Sequence, residues 1–95
     1  MNNLGQKIRT LRIEKNLLLR QLAAYLEVDT AQVSKLERGE RRATREQVRK
    51  IAELFKVSEY ELLALWMADK IEASIIEEPG VAYEALKIAN KNLKK

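Results

Sequence analysis

The stretch from residue 17 to residue 39 constrains the fold of this chain more than any other part. Its periodicity predicts two short helices, over about 19–27 and 30–38, joined by a tight turn. Apolar residues at helical spacing would face the angle between them: Leu22, Ala23, Leu26, Val28, Val33 and Leu36. The second helix would turn a different set outward: Thr30, Ala31, Ser34, Lys35 and Arg38. The pattern therefore predicts one helix that is held from behind and keeps a free polar face.

Helical periodicity continues on both sides of this pair. We predict further helices over about 3–15, 45–55 and 60–77, and an amphipathic helix after the breaker Pro79-Gly80. Three capping boxes mark predicted helix starts: Asp29 with Gln32, Thr44 with Gln47, and Ser58 with Glu61. Asn16 is expected to end the first helix in a left-handed conformation. No stretch shows strand alternation, so the predicted fold class is all-α, with five helices and a C-terminal helical extension.

The composition excludes several kinds of site. The 95 residues contain no Cys and no His, which removes disulfides, cysteine nucleophiles, the commonest metal ligand and the commonest general base. We therefore expect no catalytic residues, no metal and no cofactor, and no enzymatic activity. The N-terminus lacks the apolar region of a signal peptide, and no apolar run is long enough to cross a bilayer. A cytoplasmic location without membrane association is the expectation.

Charge is distributed unevenly along the chain. Residues 1–50 carry twelve Lys or Arg and six Asp or Glu, which gives a net charge of +6. Residues 51–80 have a net charge of −5, and residues 81–95 have +3. The first half is thus suited to a polyanion, although an ordinary solvated helical surface would also account for this charge.

Two short helices with one free polar face are typical of a helix-turn-helix, which presents one helix to the major groove of DNA. This arrangement resembles the phage repressor and Cro type of helix-turn-helix, the Xre-like family, over residues 4–65. The residues that carry the resemblance are Ile8, Leu11, Arg12, Leu17, Leu22, Ala23, Leu26, Val28, Val33, Ser34, Leu36, Glu37, Arg38 and Gly39. The resemblance implies a repressor-like DNA-binding domain over residues 1–65 and an extension over residues 66–95.

The resemblance also assigns roles to individual residues. Base reading falls to the outward positions Thr30, Ala31, Ser34 and Lys35. The residues expected to contact phosphate are Arg38, Arg41, Arg42 and Arg45. For Arg41 and Arg42 the alternative is a solvated charged loop. Gln32 could bind phosphate or a base, or serve only its capping box. Arg12 and Glu37 resemble a pair that links the first helix to the end of the third, the alternative being two independent surface charges.

The chain departs from the family pattern at two places. Leu18 and Leu19 stand where members often carry a polar N-cap and a Gln that touch phosphate, so that contact is expected to be lost or left to backbone N–H groups. Glu27 stands where the turn often holds Gly. The turn is therefore either strained by about 1 kcal/mol or takes another geometry.

The region after residue 60 carries more apolar surface than one small domain easily buries. We predict a homodimer on a two-fold-related DNA site, with an interface formed by Trp66, Met67, Ile71 and Leu86. The alternative for Trp66 and Met67 is that they cap the core of the monomer. A second function also stays open, namely an antitoxin-like module that binds a protein partner through the apolar C-terminal helices.

Overall fold

The computed structural model describes residues 2–94, and these form six α-helices and no strand. The helices are α1 (Asn3–Glu14), α2 (Leu19–Leu26), α3 (Thr30–Arg38), α4 (Arg45–Phe55), α5 (Glu59–Glu77) and α6 (Pro79–Leu93). The predicted all-α class, with five helices and a helical extension, is confirmed. None of these helices is both long and apolar enough to cross a membrane.

The core lies among α1 to α5. Its largest fully buried side chains are Ile8, Leu22, Val33, Val48, Ile51 and Leu62. They come from five different helices, so packing of these helices against one another buries the apolar stripe of each. Helix α6 contributes no buried residue, and its contacts are made with α5.

The predicted N-caps are present, but only one capping box is complete. The side chains of Asp29, Thr44 and Ser58 each accept a hydrogen bond from the backbone N–H three residues later. The reciprocal bond is seen at Thr44, whose N–H donates to Gln47 Oε1 at 2.9 Å. The other two boxes were predicted in full, and there the structure has only the N-cap half. One side-chain acceptor already satisfies an otherwise free N–H, so these helix starts do not need the second bond.

Four helices end in the same backbone motif, with one residue in the left-handed conformation. The left-handed residues are Asn16 after α1, Glu27 after α2, Gly39 after α3 and Lys56 after α4. In each case the next N–H reaches back to the carbonyl five residues earlier, at 2.9–3.0 Å. This is the Schellman motif. Glu27, with φ 59°, takes the strained option expected for its turn.

Helix α5 continues through the boundary predicted at residue 65. Its contacts with α1 extend to Asp69 and Glu72. The division at residue 65 therefore falls inside one helix. Helix α6 begins at Pro79 itself, not after the Pro-Gly pair as predicted. Proline fits the first position of a helix because its missing N–H would be unpaired there in any case.

Candidate nucleic-acid interface

Helix α3 is held from behind by apolar side chains. Val33 is 0% exposed and Leu36 is 4% exposed, and both lie in the core. The helix packs against α1 and α2. Because this side of the helix is buried, the opposite side is fixed toward solvent.

The start of α3 follows directly from the tight turn after α2. Glu27 and Val28 close α2, and the Asp29 carboxylate then accepts a hydrogen bond of 2.7 Å from the Gln32 N–H. Thr30 and Ala31 form the exposed first turn. The N-terminal end of α3 thus projects from the domain with its first side chains accessible.

The four residues predicted to read bases share the outward face of α3. Thr30, Ala31 and Lys35 are exposed, and Ser34 is half-buried. Positions one turn apart on a helix are neighbours, so 30 and 34, and 31 and 35, form a compact patch. It offers a charged donor for guanine, two hydroxyls for several base edges and methyl groups for thymine. Gln32 is also half-buried, beside this patch.

Arg12 and Glu37 form a bidentate ion pair between α1 and the end of α3. Arg12 Nε lies 2.7 Å from Glu37 Oε2, and Arg12 Nη2 lies 3.1 Å from Oε1. A third bond runs from Arg12 Nη1 to the Leu17 carbonyl at 2.9 Å. The side chains are only 14% and 6% exposed. Three bonds at fixed directions from one planar group set the position of α3 relative to α1 and to the segment before α2.

Arg38 is engaged by two side chains of its own neighbourhood. Its Nε and Nη2 donate to the Glu40 carboxylate at 2.6 and 3.2 Å, and its Nη1 donates to Ser34 Oγ. The hydrogen bonds from Arg38 hold the pKa of the Glu40 carboxyl below its ordinary value, and the charges of Arg38 and Lys35 act in the same direction. The same pairing raises the pKa of Arg38. Because Ser34 Oγ accepts from Arg38, its own O–H is left to donate.

The three arginines of the following loop and the start of α4 are exposed. Within residues 2–94, no carboxylate lies at ion-pair distance from Arg41, Arg42 or Arg45. Together with Arg38 they form a basic rim beside the C-terminal end of α3. Such a rim is suited to phosphate oxygens, which carry no sequence information.

Sequence reasoning missed the residues that fasten the start of α1. Asp69 of α5 accepts hydrogen bonds from the backbone N–H groups of Asn3 and Leu4, at 2.8 and 3.1 Å. Asn2 Nδ2 donates to the Glu37 carbonyl at 2.7 Å. The start of α1 is therefore tied both to α5 and to the end of α3. Nothing in the local pattern around Asp69 marks it as a cap, because the helix that it caps begins 66 residues away.

Gly5 lies at a close approach of α1 to the end of α3. A Cβ at this position would lie 2.5 Å from the Leu36 carbonyl oxygen and 2.7 Å from the Glu37 carbonyl oxygen. Both are backbone atoms and cannot swing away as a flexible side chain can. Gly5 thus permits the close approach of α1 to the end of α3, a role that an isolated glycine within the predicted helix 3–15 could have suggested.

The family departure at Leu18 leaves an apolar side chain at the start of α2. Leu18 is half-exposed, and its N–H donates to Gln21 Oε1 at 2.7 Å. Leu19 packs partly against the core. Neither position therefore offers a polar side chain for phosphate contact.

Trp66 packs on the core of its own chain. Its Nε1–H donates to the Ala43 carbonyl at 2.8 Å, and Lys70 Nζ lies 3.5 Å from its ring centroid. The ring and its donor are thus used within the monomer, as in the alternative in which Trp66 caps the core of its own chain. The other three residues predicted for the interface, Met67, Ile71 and Leu86, are 43–49% exposed.

Comparison with known proteins shows which family has this architecture. A family model described as helix-turn-helix matches residues 8–62. The HTH-type transcriptional repressor RghR of Bacillus subtilis (strain 168) is 35% identical over 85 residues, which cover 88% of this chain and 60% of RghR. The chain thus spans about 60% of that relative's length. The crystal structure of the clp gene regulator ClgR from C. glutamicum matches with a TM-score of 0.60 and 27% identity, covering 70% of this chain and 87% of that one. Since the family model spans more than half of the sequence, the chain belongs to the helix-turn-helix family of the Xre and Cro type.

Proposed function

We propose that this chain is a sequence-specific DNA-binding transcription regulator that inserts α3 into the major groove and has no enzymatic activity. The observation that carries the proposal is the outward face of α3: its polar side chains are accessible, and Val33 and Leu36 fix the helix from behind. A major groove about 12 Å wide admits one helix with its side chains. The names of the two relatives, a transcriptional repressor and a gene regulator, support the same role.

In this proposal the residues divide between reading and positioning. Thr30, Ala31, Ser34 and Lys35 contact base edges, and the basic rim of Arg38, Arg41, Arg42 and Arg45 contacts phosphates. Gln32, beside the base-reading patch in the first turn of α3, contacts phosphate. Arg41, Arg42 and Arg45 have no carboxylate at ion-pair distance within residues 2–94. Three such phosphate contacts per subunit would make log affinity fall with log salt at a slope near −2.7, or about −5 for a dimer.

The first test is selection of binding sites from random DNA by the full chain, followed by affinity measurements on the selected duplex. Lys35→Ala should weaken binding about 5- to 150-fold and relax preference at one base position. Arg42→Ala should weaken binding to all sequences and reduce the salt slope by about 0.9 per subunit. Lys91→Ala, an exposed lysine of α6, is the matched control. A selection that enriches no motif, or a Lys35→Ala variant with full affinity, would contradict the proposal.

We further propose that the chain binds DNA as a homodimer through the α5–α6 pair. Ile71, Ile75, Val81 and Leu86 line a mostly apolar groove of about 310 Å³ between these helices. Helix α6 also exposes large side chains outside the groove, among them Ile88 and Leu93. Exposed apolar surface of this kind marks an interaction site. A two-fold dimer would present two α3 helices to DNA half-sites about 34–36 Å apart.

Light scattering tests the dimer. The expected mass is twice the 11.0 kDa of one chain. Leu86→Asp should yield the monomer, because a carboxylate would be placed in an apolar interface. Tyr60→Asp, at an 82% exposed position at the start of α5, should leave the mass unchanged. A wild-type chain that is monomeric at micromolar concentration would refute the dimer.

The same exposed surface of α6 favours one alternative, an antitoxin-like module that covers it with a protein partner. The two variants already described separate the functions. If the chain acts only as a protein-binding module, Leu86→Asp abolishes its complex with that partner, and Lys35→Ala has no effect on any activity. If it is the regulator proposed here, Lys35→Ala weakens DNA binding and leaves any protein complex intact.

A further inference from the structure

Glu40 differs from the residues that occupy the same place after the other helices. In three of the four Schellman motifs, the residue after the left-handed position is apolar and packs against the core: Leu17, Val28 and Val57. This contact commonly accompanies the motif. After α3 the place is taken by Glu40, whose side chain is 54% exposed. The position therefore makes no core contact, and the motif alone does not account for a carboxylate here.

The backbone holds Glu40 beside Arg38. The Glu40 N–H donates to the Lys35 carbonyl at 2.9 Å, and Gly39 adopts φ 76° to permit this return. From that place, the Glu40 carboxylate accepts two hydrogen bonds from Arg38. We call Ser34, Arg38 and Glu40 the Arg38 cluster. It links an outward position on α3 to the basic rim.

Glu40 accepts hydrogen bonds from Nε and Nη2 of Arg38, two donors that a phosphate would also use. A guanidinium presents paired donors that match carboxylate and phosphate oxygens equally well in shape. While Glu40 occupies two of the donors, the pair carries no net charge and releases no counterion from DNA. Both side chains are half-exposed, and such surface pairs are weak, so DNA can displace Glu40 but must compete with it.

We propose that Glu40 is an internal competitor of DNA for Arg38, which limits the affinity of this chain for the duplex. The inference rests on the proposed DNA-binding function. It predicts that removal of the carboxylate alone, without any added contact, strengthens binding. With Glu40 present, the affinity of the chain for DNA is thus lower than the arginines of the basic rim would give without it.

The test measures affinity by fluorescence anisotropy between 50 and 200 mM salt, on the selected duplex and on an unrelated one. Glu40→Gln keeps the shape of the side chain and removes its charge. Glu53→Gln is the matched control, because Glu53 is also exposed and pairs with an arginine, Arg49, at 2.8 Å, but lies outside the proposed interface. Circular dichroism confirms that each variant is folded.

We expect Glu40→Gln to bind both duplexes more tightly and Glu53→Gln to bind as the wild type does. One further free cation steepens the salt slope by about 0.9 per subunit, so the advantage per subunit should be about threefold larger at 50 mM than at 200 mM salt. Introduced into Arg38→Ala, the Glu40→Gln change should bring a clearly smaller gain, since Glu40 would have no guanidinium to occupy and would act only through its weaker attraction to Lys35.

Three results would overturn the inference: wild-type affinity in Glu40→Gln, an equal gain in Glu53→Gln, or an equal gain when Arg38 is absent. The last would mean that Glu40 merely repels DNA. If the wild-type chain binds DNA and Glu40→Gln brings no gain, only this inference fails. If neither protein binds any duplex, the proposed function fails and the inference falls with it.

Discussion

Removal of Arg12 is the change whose effect the structure specifies most fully. Arg12→Ala would leave the Glu37 carboxylate 6% exposed without its partner, and would also remove the donor to the Leu17 carbonyl. Breaking a buried ion pair by removing one partner costs about 3–5 kcal/mol. Arg12 itself keeps 14% exposure, so water can replace part of the lost interaction. We therefore expect the free energy of unfolding to fall by about 3 kcal/mol.

In a domain of this size, about 3 kcal/mol lowers the Tm by roughly 12–24 °C. Thermal unfolding followed by circular dichroism measures the shift directly. Arg49→Ala is the matched control, since Arg49 also binds two carboxylates but lies on the exposed face of α4. Its Tm should change little, because exposed pairs contribute little stability.

A double variant tests the physical reason. In Arg12→Ala with Glu37→Gln, a neutral amide replaces the unpaired carboxylate, and the Tm should recover part of the loss. DNA affinity of Arg12→Ala, measured well below its Tm, should also fall because α3 loses its link to α1. A Tm within a few degrees of the wild type, or a double variant less stable than Arg12→Ala alone, would refute the reasoning.

Three further predictions concern stability and ionisation. Gly5→Ala should lower the free energy of unfolding by about 1–3 kcal/mol in a denaturant titration, because the added Cβ would overlap backbone atoms at the end of α3. Gly80→Ala is the control and should not destabilise the fold, since no atom lies within 4 Å of its added Cβ. Asp69→Ala should cost about 1–2 kcal/mol in chemical denaturation, because two N–H groups of α1 lose their acceptor; an unchanged midpoint would contradict the cap. Carbon NMR should find the pKa of the Glu40 carboxyl below its ordinary value, and Arg38→Ala should raise that pKa. The stability that this pair contributes is therefore present above the pKa of Glu40 in the unfolded chain, and it disappears as the pH falls through the pKa of Glu40 in the folded chain.

Local signals predicted much of the fold and the outward face of α3. The residues that start and end helices act within three to five positions, so Thr44 and Asn16 carry their information in the sequence itself. The inward and outward sides of α3 follow from its periodicity, and Val33 and Leu36 lie where that pattern puts them. The Arg12–Glu37 contact was expected from a family resemblance, since nothing in the spacing of two residues 25 positions apart indicates that they touch.

Contacts between distant segments needed the tertiary structure. Asp69 becomes a cap only because α5 passes the start of α1, and the Trp66 ring nitrogen finds its acceptor only because the Ala43 carbonyl lies beside α5. The pairing of Glu40 with Arg38 depends on the return of the backbone after Gly39. The sequence by itself determined which stretches are helical and which side of α3 is apolar, because these depend on neighbours along the chain. Only the tertiary structure decided which polar groups meet, because that depends on where separate helices come to lie in space.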